Sequence, residues 1–322
     1  MTVLASPEWR PRPMRVPGTV PTVRIYEVGP RDGLQAESGV VATADKIEFC
    51  RRLLASGISE LEATSFVPAS WIPQLADAED VLAGLDIPED KRLVAFVPNP
   101  RGLSRALDCG MQEVSVVASM TESFAAANLN TSVEGSIERV ASVVSEAAAA
   151  GVTVRGYLSM CFGDPWEGHV DPGRVAAVAS RLYEAGCGSI ALSDTIGTGT
   201  PNHVLAVIEA TLATGVPRHA IALHLHDTYG QALANVRAAL DAGVTQFDSS
   251  AGGLGRCPFA PGAAGNLATE DLVWMLEGMG VNTGIDLDEL IRTSLWMSGR
   301  LGRPSPSRVV SAFSEREPHG NR

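Results

Sequence analysis

The chain has 322 residues, 45% of them apolar, and a formal net charge of -12 at pH 7. That length holds two average domains or one large α/β domain. The acidic balance opposes a nucleic-acid partner, since phosphate binding needs a basic face, and no apolar run approaches the roughly 18 residues needed to span a bilayer.

Residues 1–20, "MTVLASPEWRPRPMRVPGTV", place Arg10, Arg12 and Arg15 among four prolines. They lack the continuous apolar stretch of a secretory signal and are expected to form an irregular arm. From 21 to 280 one unit recurs: a short strand, a loop, then a helical pattern. The strands are "VRIYEV" (23–28), "ELEATS" (60–65), "RLVAFV" (92–97), "EVSVVA" (113–118), "TVRGYL" (153–158), "SIALSD" (189–194), "AIALHLH" (220–226) and "QFDSSA" (246–251). Ala-rich helical patterns lie between them, as at 136–150 and 201–214. Gly57, Gly110, Gly151, Gly186 and Gly243 follow helices as C-caps, each a few residues before the next strand.

Eight strands alternating with helices over about 260 residues fit a (β/α)8 barrel. An open doubly wound sheet is the alternative, because periodicity does not say whether the sheet closes. Polar residues cluster where strands end: Arg31 and Asp32, Glu62, Asp194, His224 and His226, Ser249 and Ser250. A closed barrel brings those ends to one mouth, which favours it. Residues 281–322, with "IDLDELIRTSLWMSGRLGRPSP", are expected to add one outer helix and a tail. The cysteines at 50, 109, 161, 187 and 257 are scattered without a C-x-x-C. They read mostly as buried thiols in a reducing compartment, the cytoplasm.

Residues i and i+2 of a strand face the same way. His224 and His226 therefore point together, with Leu225 opposite, and either share one cation or each hydrogen-bond at the barrel rim. Asp32, just past the first strand, would add a carboxylate. Two imidazoles and a carboxylate form a facial set that leaves open positions on an octahedral ion. Mg2+ and Mn2+ suit such surroundings, with Fe2+ and Zn2+ open on ligand type alone. In "GPRDGLQAE" (29–37) the glycines and Pro30 suit a tight turn. Arg31 there either pairs with Asp32 as a loop ion pair or faces developing negative charge. "GGLGRCPFAPGAAGN" (252–266) is too rich in glycine and proline for a helix and reads as a mobile lid or phosphate cradle. Arg256 beside Cys257 would favour the thiolate. Glu62 and Asp194 are either capping residues or a general base and its orienting partner.

Taken together, "EVGPRDGLQAE", "LEATSFV", "LSDTIGTGTP", "HLHDTYGQALANV" and "GGLGRCPFAPGAAGNLATED" resemble 3-hydroxy-3-methylglutaryl-CoA lyase, a family of metal-dependent lyases on a TIM barrel. The likeness is collinear from Val23 to Leu276. It implies a closed barrel and a divalent metal, Mg2+ or Mn2+, held by Asp32, His224, His226 and Asn266. Arg31 would stabilise an enolate, Glu62 and Asp194 would surround the reacting hydroxyl with Asp194 as base, and Cys257 would act from the lid. Gln35 and Ser65 would contact substrate. The implied partner is an acyl-CoA substrate, cleaved to acetoacetate and acetyl-CoA as in leucine degradation and ketone-body metabolism, by a homodimer.

Four positions depart from the family. Asp164 stands where a cysteine is usual, Arg256 replaces a glycine, Pro261 a lysine, and Ser38 another lysine. All lie in loops at the mouth, so a hydroxyacyl-CoA with a different 3-substituent stays open. So do a related aldolase or condensing enzyme (2-isopropylmalate-synthase-like or 4-hydroxy-2-oxoacid aldolase) and a non-catalytic acyl-CoA-binding barrel.

Overall fold

Eight parallel strands close on themselves in the computed structural model, which describes residues 12–14, 22–255 and 265–314. They are β1 (Arg24–Glu27), β2 (Glu60–Ser65), β3 (Arg92–Phe96), β4 (Glu113–Ser119), β5 (Thr153–Ser159), β6 (Ser189–Asp194), β7 (Ile221–Leu225) and β8 (Gln246–Ser249). Each pairs with its neighbours in sequence, and β8 returns to β1 with Ile25 opposite Phe247. That closure leaves no unpaired edge and excludes the open sheet. Helices α1 (Thr43–Ala55), α2 (Ala78–Ala83), α3 (Pro100–Asp108), α4 (Val133–Ala149), α5 (Pro172–Glu184), α6 (Pro201–Ala213), α7 (Ala232–Asp241) and α8 (Thr269–Gly278) follow the strands in turn.

The glycines that end five of these helices all have positive φ. Gly57 shows why no other residue serves: its φ is +101°, and a Cβ there would lie 2.2 Å from the carbonyl oxygen of Gly284. Side chains cap other helices at the opposite end, as Ser132 does by accepting the Gly135 amide at 3.0 Å. β1 and β8 are shorter than their sequence patterns. After Glu27 the chain enters a wide helical turn, and after Ser249 a short one at Ala251–Gly253.

Past α8 the chain forms two helices, α9 (Leu287–Leu301) and α10 (Arg308–Ser314), where the sequence pattern suggested one. Gly302, at φ +66°, ends α9, and Pro304 and Pro306 prevent its continuation. α9 packs on α1 and on the turn after β8, so this extension braces the barrel's mouth. Among the described residues no helix is long and apolar enough to cross a membrane.

Most of the core lies between strands and helices. A smaller cluster of Tyr26, Val28, Val94, Tyr157, Ala191 and Ala222 is separate from it. The guanidinium of Arg155 stacks on it, 4.3 Å from the ring centroid of Tyr26.

Two carboxyls are buried where β1, β8 and α8 meet. Burial pushes Glu270 up to about 8, against hydrogen bonds from Ser294 and the Gly252 amide. It pushes Glu27 up to about 7, against hydrogen bonds from Thr269 and the Ala251 and Gly29 amides. Both therefore take up a proton on folding between the ordinary carboxylate range and their folded values. Their contribution to stability is complete below that range and is lost as pH rises through 7 to 8. Each such proton is worth ~1.4 kcal/mol per pH unit. The expected result is a Tm that falls by several degrees from pH 6 to pH 9, with a flatter dependence in Glu270→Gln, measured by calorimetry across that range.

Candidate active site and metal centre

The site is assembled from three chain segments at the C-terminal end of the barrel. β7 supplies His224, whose neighbour Leu225 is buried in the outer core. His226 lies one residue past the strand and is kept in line by a bridge to Asn266. The backbone bonds Leu267 N to Leu225 O (2.9 Å) and Asp227 N to Gly265 O (3.1 Å) lay the 265–267 segment along the end of β7. β1 supplies the third segment, a single wide turn at Gly29–Gly33 closed by Gly33 N to Val28 O at 3.0 Å. Such widened turns recur at functional sites, and this one carries Arg31 and Asp32.

The ligand atoms of Asp32, His224 and His226 all lie within 4.8 Å of one another. The Asn266 amide nitrogen donates to Asp32 Oδ2 at 2.8 Å, which leaves its Oδ1 buried without a hydrogen-bond partner. Nδ1 of His226 is likewise buried and unpartnered. Nδ1 of His224 is engaged by Asp248 Oδ2 at 3.1 Å, which leaves Nε2 free for the site. A carboxylate and two imidazoles in one small cluster, with an orphaned amide oxygen on the residue hydrogen-bonded to that carboxylate, fit a divalent cation.

The electrostatics keep these donors ready. Burial, with His224 beside it, pushes His226 down to about 4, so its ring is neutral at pH 7. Burial alone would raise Asp32, but Arg31 and then the two histidines hold it down at about 2. Burial would lower His224, yet the hydrogen bond and charge of Asp248 outweigh it and raise the ring.

Arg31 is buried beside this cluster. Its Nε donates to Glu62 Oε2 at 2.5 Å and its Nη1 to Asp32 Oδ1 at 2.9 Å. The guanidinium lies 5.0 Å from the Phe96 ring centroid and 5.4 Å from that of Tyr157. Two carboxylates and two ring faces fix the plane of the fork and hold it charged. Arg31, Asp32, His224 and His226 line a cavity of about 190 Å³ that continues past Ser193 and Thr195 to Trp71, Asn128 and Arg139.

The profile of the family described as HMGL-like matches residues 22–296. The chain belongs to the HMGL-like family. Among relatives of this family, the mitochondrial hydroxymethylglutaryl-CoA lyase of Arabidopsis thaliana is 48% identical over 294 residues, 91% of this chain. The chain spans 63% of the length of that plant protein. The crystal structure of HMG-CoA lyase from Bacillus subtilis superposes with a TM-score of 0.89 at 45% identity, covering 92% of this chain and 99% of that one. An HMG-CoA lyase from Acinetobacter baumannii, in complex with coenzyme A and 3-methylmalate, gives a TM-score of 0.86 at 35% identity, covering 94% and 98%.

Within this family fold the residues singled out from sequence do not all reach the cavity. Gln35 lines it with Arg31, Asp32 and the two histidines. Glu62 is fully buried behind Arg31 and also accepts from the Ser115 hydroxyl, so it holds the guanidinium and does not face the cavity. Ser65 is fully buried too, its Oγ accepting the Val67 amide at 3.3 Å.

Asp194 and its neighbour Ser193 are placed differently. Ser193 is in register with His224 and lines the cavity, whereas Asp194 is in register with Leu225. The Asp194 carboxylate accepts the Thr198 and Gly199 amides at 2.9 and 2.8 Å, closing the loop after β6. Burial pushes it up to about 6 despite those bonds. It closes the loop after β6 and is absent from the residues that line the cavity. Cys257, Arg256 and Pro261 lie outside the described residues. Of the other departures, Ser38 is exposed, and Asp164 accepts from Thr121 Oγ1 at 2.6 Å and from the Trp166 and Glu167 amides. Asp164 thereby organises the small hairpin in which Gly163 pairs with His169.

Two residues that matter were missed. Asp248, on β8 directly opposite His224, orients that ring, and Arg155 on β5 pairs with Asp248 from below. The signal was available: a carboxylate and a guanidinium in the middle of otherwise apolar strands have to be paired when buried. Partners of this kind fix the tautomer of a metal-ligating histidine. Asp248→Asn is expected to weaken divalent-metal binding by about 10- to 100-fold, as measured by calorimetry.

Proposed function

We propose that the chain cleaves 3-hydroxy-3-methylglutaryl-CoA between C2 and C3, giving acetoacetate and acetyl-CoA. It is a carbon–carbon lyase of the HMGL-like family. The observation that carries the reading is the convergence of Asp32, His224 and His226 beside Arg31 in one cavity at the barrel's mouth. Asp32, His224, His226 and Asn266 would hold Mg2+ or Mn2+. Bound there, the cation would supply Lewis-acid polarisation of substrate oxygens.

The residues of the chain divide the remaining work. The tertiary hydroxyl has to lose its proton; Asp32, His224 and His226 would hold the cation with their lone pairs, so the proton goes to water in the cavity rather than to them. Breaking C2–C3 then leaves a ketone and a thioester enolate. Arg31, held flat by Glu62 and Asp32, places N–H donors and a fixed positive charge against the enolate oxygen. Protonation at C2 completes acetyl-CoA, and we assign that proton to Cys257 of the 252–266 loop. Coenzyme A would extend along the apolar wall of the cavity, which Val67, Ile72 and Phe124 help to form. The four described cysteines are unpaired thiols, which supports a reducing compartment such as the cytoplasm.

The test is incubation of the purified chain with hydroxymethylglutaryl-CoA and with analogues differing at the 3-substituent, with Mg2+ or Mn2+ and with EDTA. Acetoacetate formed only with metal supports the assignment. A product from an analogue alone would move the acyl group and keep the chemistry, and turnover of none of these substrates would remove the assignment.

A further inference from the structure

We infer that Glu27 is a positioning residue for this reaction: one buried carboxylate that locks the Arg31–Asp32 turn to both ends of the 251–269 loop. The inference rests on the metal-dependent reading of the site. Glu27 is the last residue of β1 and is fully buried, touching neither the cavity nor the proposed ligands. Its Oε1 accepts the amide of Gly29 at 2.7 Å and the amide of Ala251 at 2.9 Å. Its Oε2 accepts the Thr269 hydroxyl at 2.6 Å. Gly29 opens the turn that carries Arg31 and Asp32. Ala251 opens the loop that carries Cys257, and Thr269 follows Asn266 by three residues.

The backbone joins the same region pairwise, Val28 N to Ser249 O at 2.9 Å and Thr269 N to Ser250 O at 3.1 Å, and among the described residues Glu27 is the one side chain hydrogen-bonded to all three points. A Cβ on Gly29 would lie 2.6 Å from Oε1, so the carboxylate packs flush against the turn's backbone. The neighbouring Glu270 repeats the device on Gly252, whose amide it accepts at 2.8 Å. The geometry that depends on this lock is the contact between Asp32 and Asn266, one group from each side, at 2.8 Å. Losing the carboxylate frees the turn to shift against the loop, and the proposed ligand set then no longer converges.

The three contacts ask for acceptors rather than for a charge. Thr269 Oγ1 also lies 2.9 Å from Ser249 Oγ. It is therefore able to give its proton to Ser249 and accept from an amide NH2, so glutamine restores the lock and alanine does not.

The experiment compares wild type, Glu27→Ala, Glu27→Gln and Thr269→Val as full chains, each assayed well below its own Tm. The readouts are the Kd for Mn2+ by calorimetry and kcat and KM with hydroxymethylglutaryl-CoA at saturating Mn2+. Glu27→Ala is expected to raise the Mn2+ Kd and lower kcat by at least about tenfold each, with KM changed by less than about twofold. Glu27→Gln is expected within about threefold of wild type on every readout. A folded Glu27→Ala with wild-type Kd and kcat overturns the inference, as does a Glu27→Gln damaged as severely as the alanine variant. If Glu27→Ala does not fold, Thr269→Val decides: a shift in the same direction upholds the lock, and wild-type values overturn it. A wild-type chain that binds no Mn2+ and cleaves nothing defeats the proposed function instead.

Discussion

Arg31→Gln is expected to lower kcat by about 10²- to 10³-fold, the usual cost of removing a donor aimed at developing oxyanion charge. The loss should fall on kcat more than on KM, because the guanidinium acts where the enolate charge appears. Glutamine keeps an N–H donor yet loses the charge and the fork that Glu62 and Asp32 hold in place. The same change breaks a buried ion pair and leaves Glu62 with Ser115 and Tyr157 as its donors. A destabilisation of about 3 kcal/mol is therefore expected as well. Arg31→Lys separates the two effects: it restores charge opposite Glu62 without the fork, so stability should recover more than turnover. Steady-state kinetics at a temperature where circular dichroism shows both variants folded would check this. Near-wild-type kcat in Arg31→Gln would remove the arginine from the mechanism.

His226→Ala is expected to abolish divalent-metal binding at micromolar Mn2+ and to lower turnover by at least about 10³-fold, since metal polarisation contributes several kcal/mol to such reactions. The ring is buried and neutral, and its Nδ1 has no hydrogen-bond partner. Its removal therefore costs no hydrogen bond through that atom, and the fold should survive with a modest loss from the cavity it leaves. Calorimetry with Mn2+ on both proteins is the check. Tight Mn2+ binding by His226→Ala would show that the cation is held elsewhere.

The sequence made the barrel legible because five helices end in glycine caps and most strands are short β-branched or apolar runs. It also puts His224 and His226 on one side, since the i, i+2 rule fixes which side two residues of one strand share; that Asp32 lies beside them follows from the closure of the barrel. The rule fails between strands, and Asp194 shows how. Whether Ser193 or Asp194 faces the cavity depends on the register of β6 against β7, which aligns Ser193 with His224. No pattern within "SIALSD" encodes that register, so the sequence does not say which of the two residues lines the cavity. Glu62 is the milder case: it is at the site, but behind Arg31 rather than facing substrate. Asp248 and Arg155 were overlooked because their strands were read for periodicity and not for charges needing partners. The C-terminal extension was half legible. Its first helix follows from the apolar spacing, while the second begins beyond two prolines, where a short segment is helical because its start is hydrogen-bonded to Asp271.

The measurement closest to the central claim is acetoacetate release from hydroxymethylglutaryl-CoA by chain stripped of metal and then titrated with Mn2+. Stripped protein should be inactive. Activity should return in proportion to one Mn2+ bound per chain for the wild type and should not return for His226→Ala. Undiminished cleavage by the stripped chain, or equal recovery in both proteins, would contradict a metal site built from Asp32, His224 and His226.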